Sequence, residues 1–336
     1  MFTEAFEDIL RDHCTPALVR AIEAGGSPAP LWDAIAEAGF LELLAPETAG
    51  GAALGLADLF PILHALGRHA MPLPIGETLV ARALLPADAV PGGMVTLAPA
   101  ARALEGGGWR CPNVPFGAIA DHVVADAGDA QVLLFDCAGA RRHRAGIGRS
   151  LVASLEFGAD AAPRRFALAG GGAGAGDPGG GVRVFAAALY AALLAGALAR
   201  TFEITLQYGN DRVQFGKPIG RFQAIQHQLA VMAELVAASR VAAEAAFQGG
   251  GAMPAPMAAA LAKARASDAV SACAGIAHAV HGAIGVTQEY DLQLHTRRLH
   301  EWRLAHGSED HWHGVIGQAV IASGQPLADF VRTATH

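Results

Sequence analysis

The run Arg212-Val213-Gln214-Phe215-Gly216-Lys217-Pro218-Ile219-Gly220 sets two cations, two glycines, a proline and an aromatic into one tight connection. It leads into Phe222, Ile225, Leu229, Met232 and Val236, which recur at helical spacing. A stiff cationic hook ahead of a helix suits a diphosphate: glycine lets backbone come close, arginine offers a planar donor fork, and the helix N-terminus adds a favourable dipole. The same spacing also fits an ordinary interhelical loop with solvated charges. A second stretch, His281-Gly282-Ala283-Ile284-Gly285-Val286-Thr287-Gln288-Glu289-Tyr290-Asp291-Leu292, puts glycines where backbone could pass close to a cofactor, or where one helix is capped and the next begins. A third groups His306, His311 and His313 with Glu309 and Asp310, residue types that serve acid–base or metal chemistry. A turn followed by a helix start, with Ser308 as N-cap and acids in the first turn, is the plainer account, and no metal site is expected.

These stretches closely resemble signatures of the acyl-CoA dehydrogenase family. The first is similar to its Arg-x-x-Phe-Gly-x-x-Ile…Phe-Gln-x-x-Gln run and the second to its Gly-Gly-x-Gly-x-Thr-x-Glu-Tyr/His turn. Pro46-Glu47-Thr48-Ala49-Gly50-Gly51 is similar to the Pro-Glu-x-x-Gly-Gly turn of its N-terminal helical domain. The resemblance implies FAD as cofactor and oxidation of an acyl-CoA thioester to the 2,3-enoyl-CoA. It also implies a tetramer built as a dimer of dimers and an electron-transfer flavoprotein or similar acceptor. By the same resemblance, Arg212, Gln214, Phe215, Ile219, Phe222, Ile225, Gly282 and Ala283 bind the cofactor, the hook reaching the adenosine diphosphate end of an FAD held mainly by the neighbouring subunit. Ala279 stands where the family usually has a glutamine contacting the partner's FAD.

Other family positions are changed. The chemistry needs a base for the proton α to the thioester carbonyl while hydride leaves the β-carbon for the flavin. Commonly that base is the glutamate of a Tyr-Glu-Gly-Thr turn; the matching run is Ala305-His306-Gly307-Ser308, which makes His306 the residue at the base position. In a second group the glutamate sits near the start of the helix before the hook, where this chain has Phe185-Ala186-Ala187. The Thr-Glu-Pro-x-x-Gly-Ser-Asp-like run that seats the flavin ring is reduced to Val95-Thr96-Leu97-Ala98-Pro99-Ala100-Ala101. The expectation is a subunit lacking the usual catalytic glutamate, paired with a base-bearing family member. The alternatives are a non-catalytic paralogue that binds acyl-CoA or a partner, and a homotetramer using another base. His306 could serve as that base, with Glu309 and Asp310 as outside candidates.

The elements that would position these residues follow from composition and periodicity. The chain has 336 residues, 52% of them hydrophobic with alanine prominent and only 6% aromatic, which favours helices over a strand-rich core. The expected architecture is mainly α with a small β-domain. An N-terminal helical domain covers 1–92, a middle antiparallel, β-barrel-like domain 93–169, a Gly-rich linker 170–181 and a C-terminal four-helix bundle 182–336. Helices are expected at about 183–210, 222–247 and 257–283. Arg297, Arg298 and Arg303 read as a solvated or interface face, and Glu203, Glu234 and Glu244 as surface carboxylates. A net charge of −7 leaves no electrostatic footprint for nucleic acid. The acidic N-terminus lacks signal-peptide features, and the longest apolar run, 185–199, falls short of the roughly 20 residues of a bilayer span, so a soluble cytoplasmic protein is expected. Cys14, Cys111, Cys137 and Cys273 show no C-x-x-C spacing and are expected as reduced thiols.

Overall fold

The computed structural model describes residues 2–128, 131–168 and 180–334. Its N-terminal part is helical: α1 (Phe2–His13), α2 (Pro16–Glu23), α3 (Ala29–Glu37), α4 (Leu56–Arg68) and α5 (Ile75–Leu84). Helix α2 begins where its sequence supplies both start signals, with the Leu18 amide donating to Thr15 Oγ1 and Pro16 in the first turn. The Pro46–Gly51 turn holds a short 3-10 segment, Glu47–Ala49, closed by Gly50 in the left-handed region at φ +80°.

The middle part contains β1 (Val95–Ala98), β2 (Arg102–Ala103), β3 (Trp109–Val114), β4 (His122–Gly128), β5 (Gln131–Asp136), β6 (Arg141–Arg144), β7 (Ala153–Phe157) and β8 (Arg164–Ala167). They form two four-stranded sheets, ordered β1-β4-β5-β8 and β2-β3-β7-β6. One pairing departs from the antiparallel expectation: β1 and β4 run parallel, Val95 opposite His122. Strands β2 and β3 of the other sheet lie in the connection between them, which supplies the crossover that parallel neighbours require. Alternate residues of β4 and β5 face opposite ways. Val123, Ala125, Leu133 and Phe135 meet Cys111 and Leu155 in a core between the sheets, while Val124, Val132 and Leu134 join the helical core. Burial on both faces explains why these strands read as continuous apolar runs.

The glycine-dense segment expected as a linker lies outside the described residues, save Gly180 and Gly181, which open the next helix. The remainder is α6 (Gly180–Asp211), a hairpin of β9 (Val213–Gln214) and β10 (Lys217–Pro218), α7 (Gln223–Ala245), α8 (Pro256–His281), α9 (Leu292–Leu304), α10 (Glu309–Ser323) and α11 (Leu327–Ala334). Helix α6 is the axis of the molecule, packing on α4, α7, α8 and α9. Helices α6 and α8 are long and apolar enough to cross a bilayer by length and composition, a point the apolar run 185–199 understated. However, 89% of the most apolar stretch of α6 is buried inside the fold, as expected of a core helix. Helices α4 and α6 touch backbone to backbone: a Cβ on Gly67 would stand 2.1 Å from the Leu193 carbonyl oxygen, and one on Gly196 2.0 Å from that of His64. Only glycine allows that crossing.

Candidate functional site

The hook is a two-residue β-hairpin, a form that its composition did not disclose. Gln214 pairs with Lys217 and Val213 with Pro218, while Phe215 (φ +50°) and Gly216 (φ +78°) turn the chain. Positive φ at both central residues gives the twist that suits a two-residue hairpin, at some cost in strain for phenylalanine. The Ile219 amide donates to the Arg212 carbonyl at 2.8 Å and closes the base. Phe215 is 92% exposed. Lys217 Nζ lies 4.2 Å from the centre of the Phe222 ring, so this cation is already engaged. Arg212 and Gln214 are exposed, Ile219, Phe222 and Ile225 half-buried.

The second stretch lies beside the hook. Helix α8 ends at His281, and Gly282 (φ +64°) turns the chain into a short 3-10 segment, Gly282–Val286, in which Gly282 and Ala283 are exposed. Tyr208, in the last turn of α6, stacks on His281 with ring centres 4.3 Å apart, and Tyr290 meets Tyr208 edge-on at 6.3 Å. This ring cluster joins the two expected cofactor contacts. Gly285 has a packing reason of its own, since a Cβ there would lie 2.9 Å from His281 Cβ. From α2, Arg20 donates to the carbonyls of Gln288 and Glu289 at 3.1 Å and to Asp291 Oδ1 at 2.7 Å, fixing the end of the turn.

The Ala305–Ser308 turn between α9 and α10 is held from below. Lys263, buried in α8, donates to Ser267 Oγ at 2.9 Å and to the carbonyls of Arg303 (2.8 Å) and Gly307 (2.9 Å). Burial pulls its ammonium down to about 7, which Glu309 opposes. Arg303 Nε donates to Glu309 Oε2 at 2.8 Å, and this bond is the main reason the Glu309 carboxyl sits at about 2. Ser308 stands at the N-cap position, but its side chain makes no capping hydrogen bond.

His306, at φ +54°, points inward and is 2% exposed. Its ring lies 5.3 Å from that of Tyr190. Burial, aided by the cations Lys263 and Arg183, pushes its pKa down to about 3, with the Leu97 carbonyl near enough to oppose part of the shift. Neither ring nitrogen has a hydrogen-bond partner among the described residues. Phe185, Ala186 and Ala187 are fully buried in α6, one turn before Tyr190. Tyr190 in turn donates to Glu77 Oε1 of α5 at 2.5 Å, and burial raises this carboxyl to about 7 against the lowering effect of that bond. Thr96 in β1, the threonine of the reduced flavin-seating run, donates its hydroxyl to the Pro115 carbonyl at 2.6 Å inside the core. The two base positions and β1 therefore converge on His306, while the hook and the Gly282 turn lie at the far end of α6.

Several residues differ from expectation. Arg298 is buried, not solvated: its Nη2 lies 3.0 Å from Glu23 Oε1, whose other oxygen accepts from Arg297 at 2.6 Å. Helix α2 covers this side of α9, and no periodicity within α9 signals it. Arg303 is engaged with Glu309, whereas Glu203 keeps its expected place at the surface, 42% exposed, and pairs there with Arg68 at 2.6 Å. His313 faces Asp268 at 3.2 Å, and among the described residues no group of three or more His, Cys, Asp or Glu side chains is arranged to hold a metal. Glu77, Tyr190 and Lys263 were missed. The available signals were a lone carboxylate in Ile75-Gly76-Glu77-Thr78-Leu79 and a lone lysine in Ala260-Leu261-Ala262-Lys263-Ala264, since charges inside otherwise apolar helix segments need partners.

The family model for the acyl-CoA dehydrogenase N-terminal domain matches residues 1–86, and that for the C-terminal domain matches residues 185–321. The chain belongs to the acyl-CoA dehydrogenase family. Acyl-CoA dehydrogenase IpdE2 of Mycobacterium tuberculosis is 34% identical over 305 residues, covering 89% of this chain and 90% of that protein. The Tcur3481-Tcur3483 steroid ACAD superposes with a TM-score of 0.79 at 28% identity, over 96% of this chain and 97% of that one. The ChsE4-ChsE5 complex from Mycobacterium tuberculosis gives a TM-score of 0.79 at 24% identity, over 96% of each chain, a likeness of fold. The cofactor of this acyl-CoA dehydrogenase family is FAD. The residues present fit it unevenly: the exposed hairpin with Arg212 suits an anionic end reached from outside, whereas Thr96, already engaged with Pro115, is not free to seat a ring.

Proposed function

We propose that this chain is a subunit of a flavin-dependent acyl-CoA dehydrogenase that completes a neighbour's cofactor site without supplying the base. The observation that carries this reading is the state of His306: neutral and covered by the protein's own side chains, with no carboxylate at either position from which family members take the α-proton. The chain's own contribution is binding. Arg212 offers a donor fork to the diphosphate end of FAD, Phe215 and Phe222 offer apolar surface, and the Gly282–Ala283 backbone lies alongside. Bound FAD would supply the hydride acceptor for the acyl β-carbon, and the base for the α-proton would come from a glutamate of a partner subunit. An electron-transfer flavoprotein or similar acceptor would be the redox partner of the assembly. Likeness to a steroid ACAD supports a bulky, ring-bearing acyl-CoA as substrate.

Two measurements test this. The chain purified alone should carry well under one FAD per subunit and gain flavin when co-expressed with a base-bearing family member; a stoichiometric flavin spectrum from the isolated chain overturns the reading. In that assembly, His306→Ala should leave flavin bleaching by acyl-CoA largely intact, whereas loss of a true general base costs on the order of 10²–10⁴ in rate. A second reading, a paralogue that binds a partner without any turnover, draws on the engaged Thr96. It predicts an assembly whose flavin is not bleached by acyl-CoA.

A further inference from the structure

In the family, two alternative glutamate positions serve one reaction, so both must reach the same α-carbon. The acyl thioester therefore stands between the turn that here carries His306 and the start of the helix that here carries Phe185–Ala187. In this chain that space is spanned by protein. Tyr190, one turn beyond Ala186, is fully buried with its ring centre 5.3 Å from that of His306, and its hydroxyl is fixed 2.5 Å from Glu77. Helix α5 presses in behind: a Cβ on Gly76 would stand 2.6 Å from Leu189 Cδ1 and 3.3 Å from Leu63 Cδ2.

We infer that Tyr190, anchored by Glu77 and backed by His306, occupies the acyl-thioester position, so that this chain takes no acyl group between its own helices. This deepens the reading above and rests on it: an assembly with such a subunit takes up acyl-CoA only through the base-bearing partner. Every part of the plug has a physical cause. The ring fills volume, its hydroxyl would be unpaired in an apolar core without Glu77, and Glu77 would be a bare buried carboxyl without the hydroxyl. Neutral His306, its ring tilted 33° to that of Tyr190, closes the plug without bringing a charge into it.

The test compares octanoyl-CoA with free CoA on the full chain by titration calorimetry. An open acyl compartment strengthens binding roughly fourfold for each methylene it buries. The native chain should bind octanoyl-CoA within about twofold of CoA, or bind neither, while Tyr190→Ala should bind octanoyl-CoA at least about tenfold more tightly than the native chain does. Tyr190→Phe keeps the ring and should stay closed. Native-chain binding of octanoyl-CoA about tenfold or more tighter than CoA overturns the inference. So does a folded Tyr190→Ala that gains nothing. Should that variant fail to fold, the native comparison still decides. Flavin content is read separately: stoichiometric flavin with no acyl increment defeats the proposed function alone, and an acyl increment without flavin defeats the plug alone.

Discussion

Arg212 and Lys217 sit in one hairpin and differ in what already holds them. Lys217 lies over the Phe222 ring, while Arg212 is exposed on the outer surface. Arg212→Ala should therefore weaken FAD retention in the assembly by about tenfold or more, since a charge-assisted hydrogen bond is worth roughly 1.5–3 kcal/mol, and Lys217→Ala should do less. Equal FAD dissociation constants for the two variants would return the hook to the status of an ordinary loop. The preference for Arg212 over Lys217 was legible in the sequence from side-chain type alone, a planar fork against a point charge, whereas the hairpin form and the Lys217–Phe222 contact were not. His306 was legible only as a position. What decides its chemistry, the Tyr190 ring, the Leu97 carbonyl and the Lys263 ammonium, comes from three elements remote in the chain, and no local pattern assembles them.

Among the elements, α9 departs most from its sequence. Its arginines read as a solvated face, yet α2 lies across it, and Glu23 takes Arg298 into a site where both side chains are about 2% exposed or less. Removing Arg298 leaves the buried Glu23 with Arg297 as its remaining cation, so Arg298→Ala should destabilise the fold by about 1.5–3 kcal/mol, the range of one charge-assisted contact to a buried group. Replacing Arg298 and Glu23 together with apolar residues should recover much of the loss. Urea-unfolding midpoints of the native chain and the two variants measure this, and an Arg298→Ala midpoint equal to the native one would mean that the pair is no more than a surface contact. Helix existence and approximate bounds were legible because α6, α7 and α8 are long, alanine-rich and bounded by turns containing glycine and proline. Which helix covers which face was not, because periodicity gives the side of a helix that is apolar and is silent on a charged side buried by a matching charge.

Across the whole molecule, buried titrating groups set the acid limit of stability. His295 and His306 are each pushed by burial to about 3, below the 6.5 of the unfolded chain. The unfolded state therefore binds more protons as pH falls. Their stabilising contribution is present above about pH 6.5 and is lost as pH drops toward 3, at up to about 1.4 kcal/mol per pH unit for each. Glu77 has the opposite sign. Its folded value of about 7 lies above the unfolded 4.5, so its contribution is present below 4.5 and lost as pH rises through 7. The three together predict a gentle loss of stability from pH 6.5 to 4.5 that steepens below 4.5. Denaturant unfolding across that range would show it, and a flat profile would contradict the burial of these groups.

The bare glycine crossing of α4 over α6 also dictates an order of events while the chain is being made. Helix α4 leaves the ribosome long before residues 180–211 exist, and the surface meant for Leu193 and Gly196 has nothing to rest on meanwhile. Synthesis at about 5–20 residues per second leaves that greasy strip uncovered for many seconds, a window in which chaperones or an already folded partner would meet it first. A fragment ending at residue 92 should accordingly bind a hydrophobic dye and melt without a sharp transition. Cooperative melting of that fragment would show that the N-terminal helices need no later residue to settle.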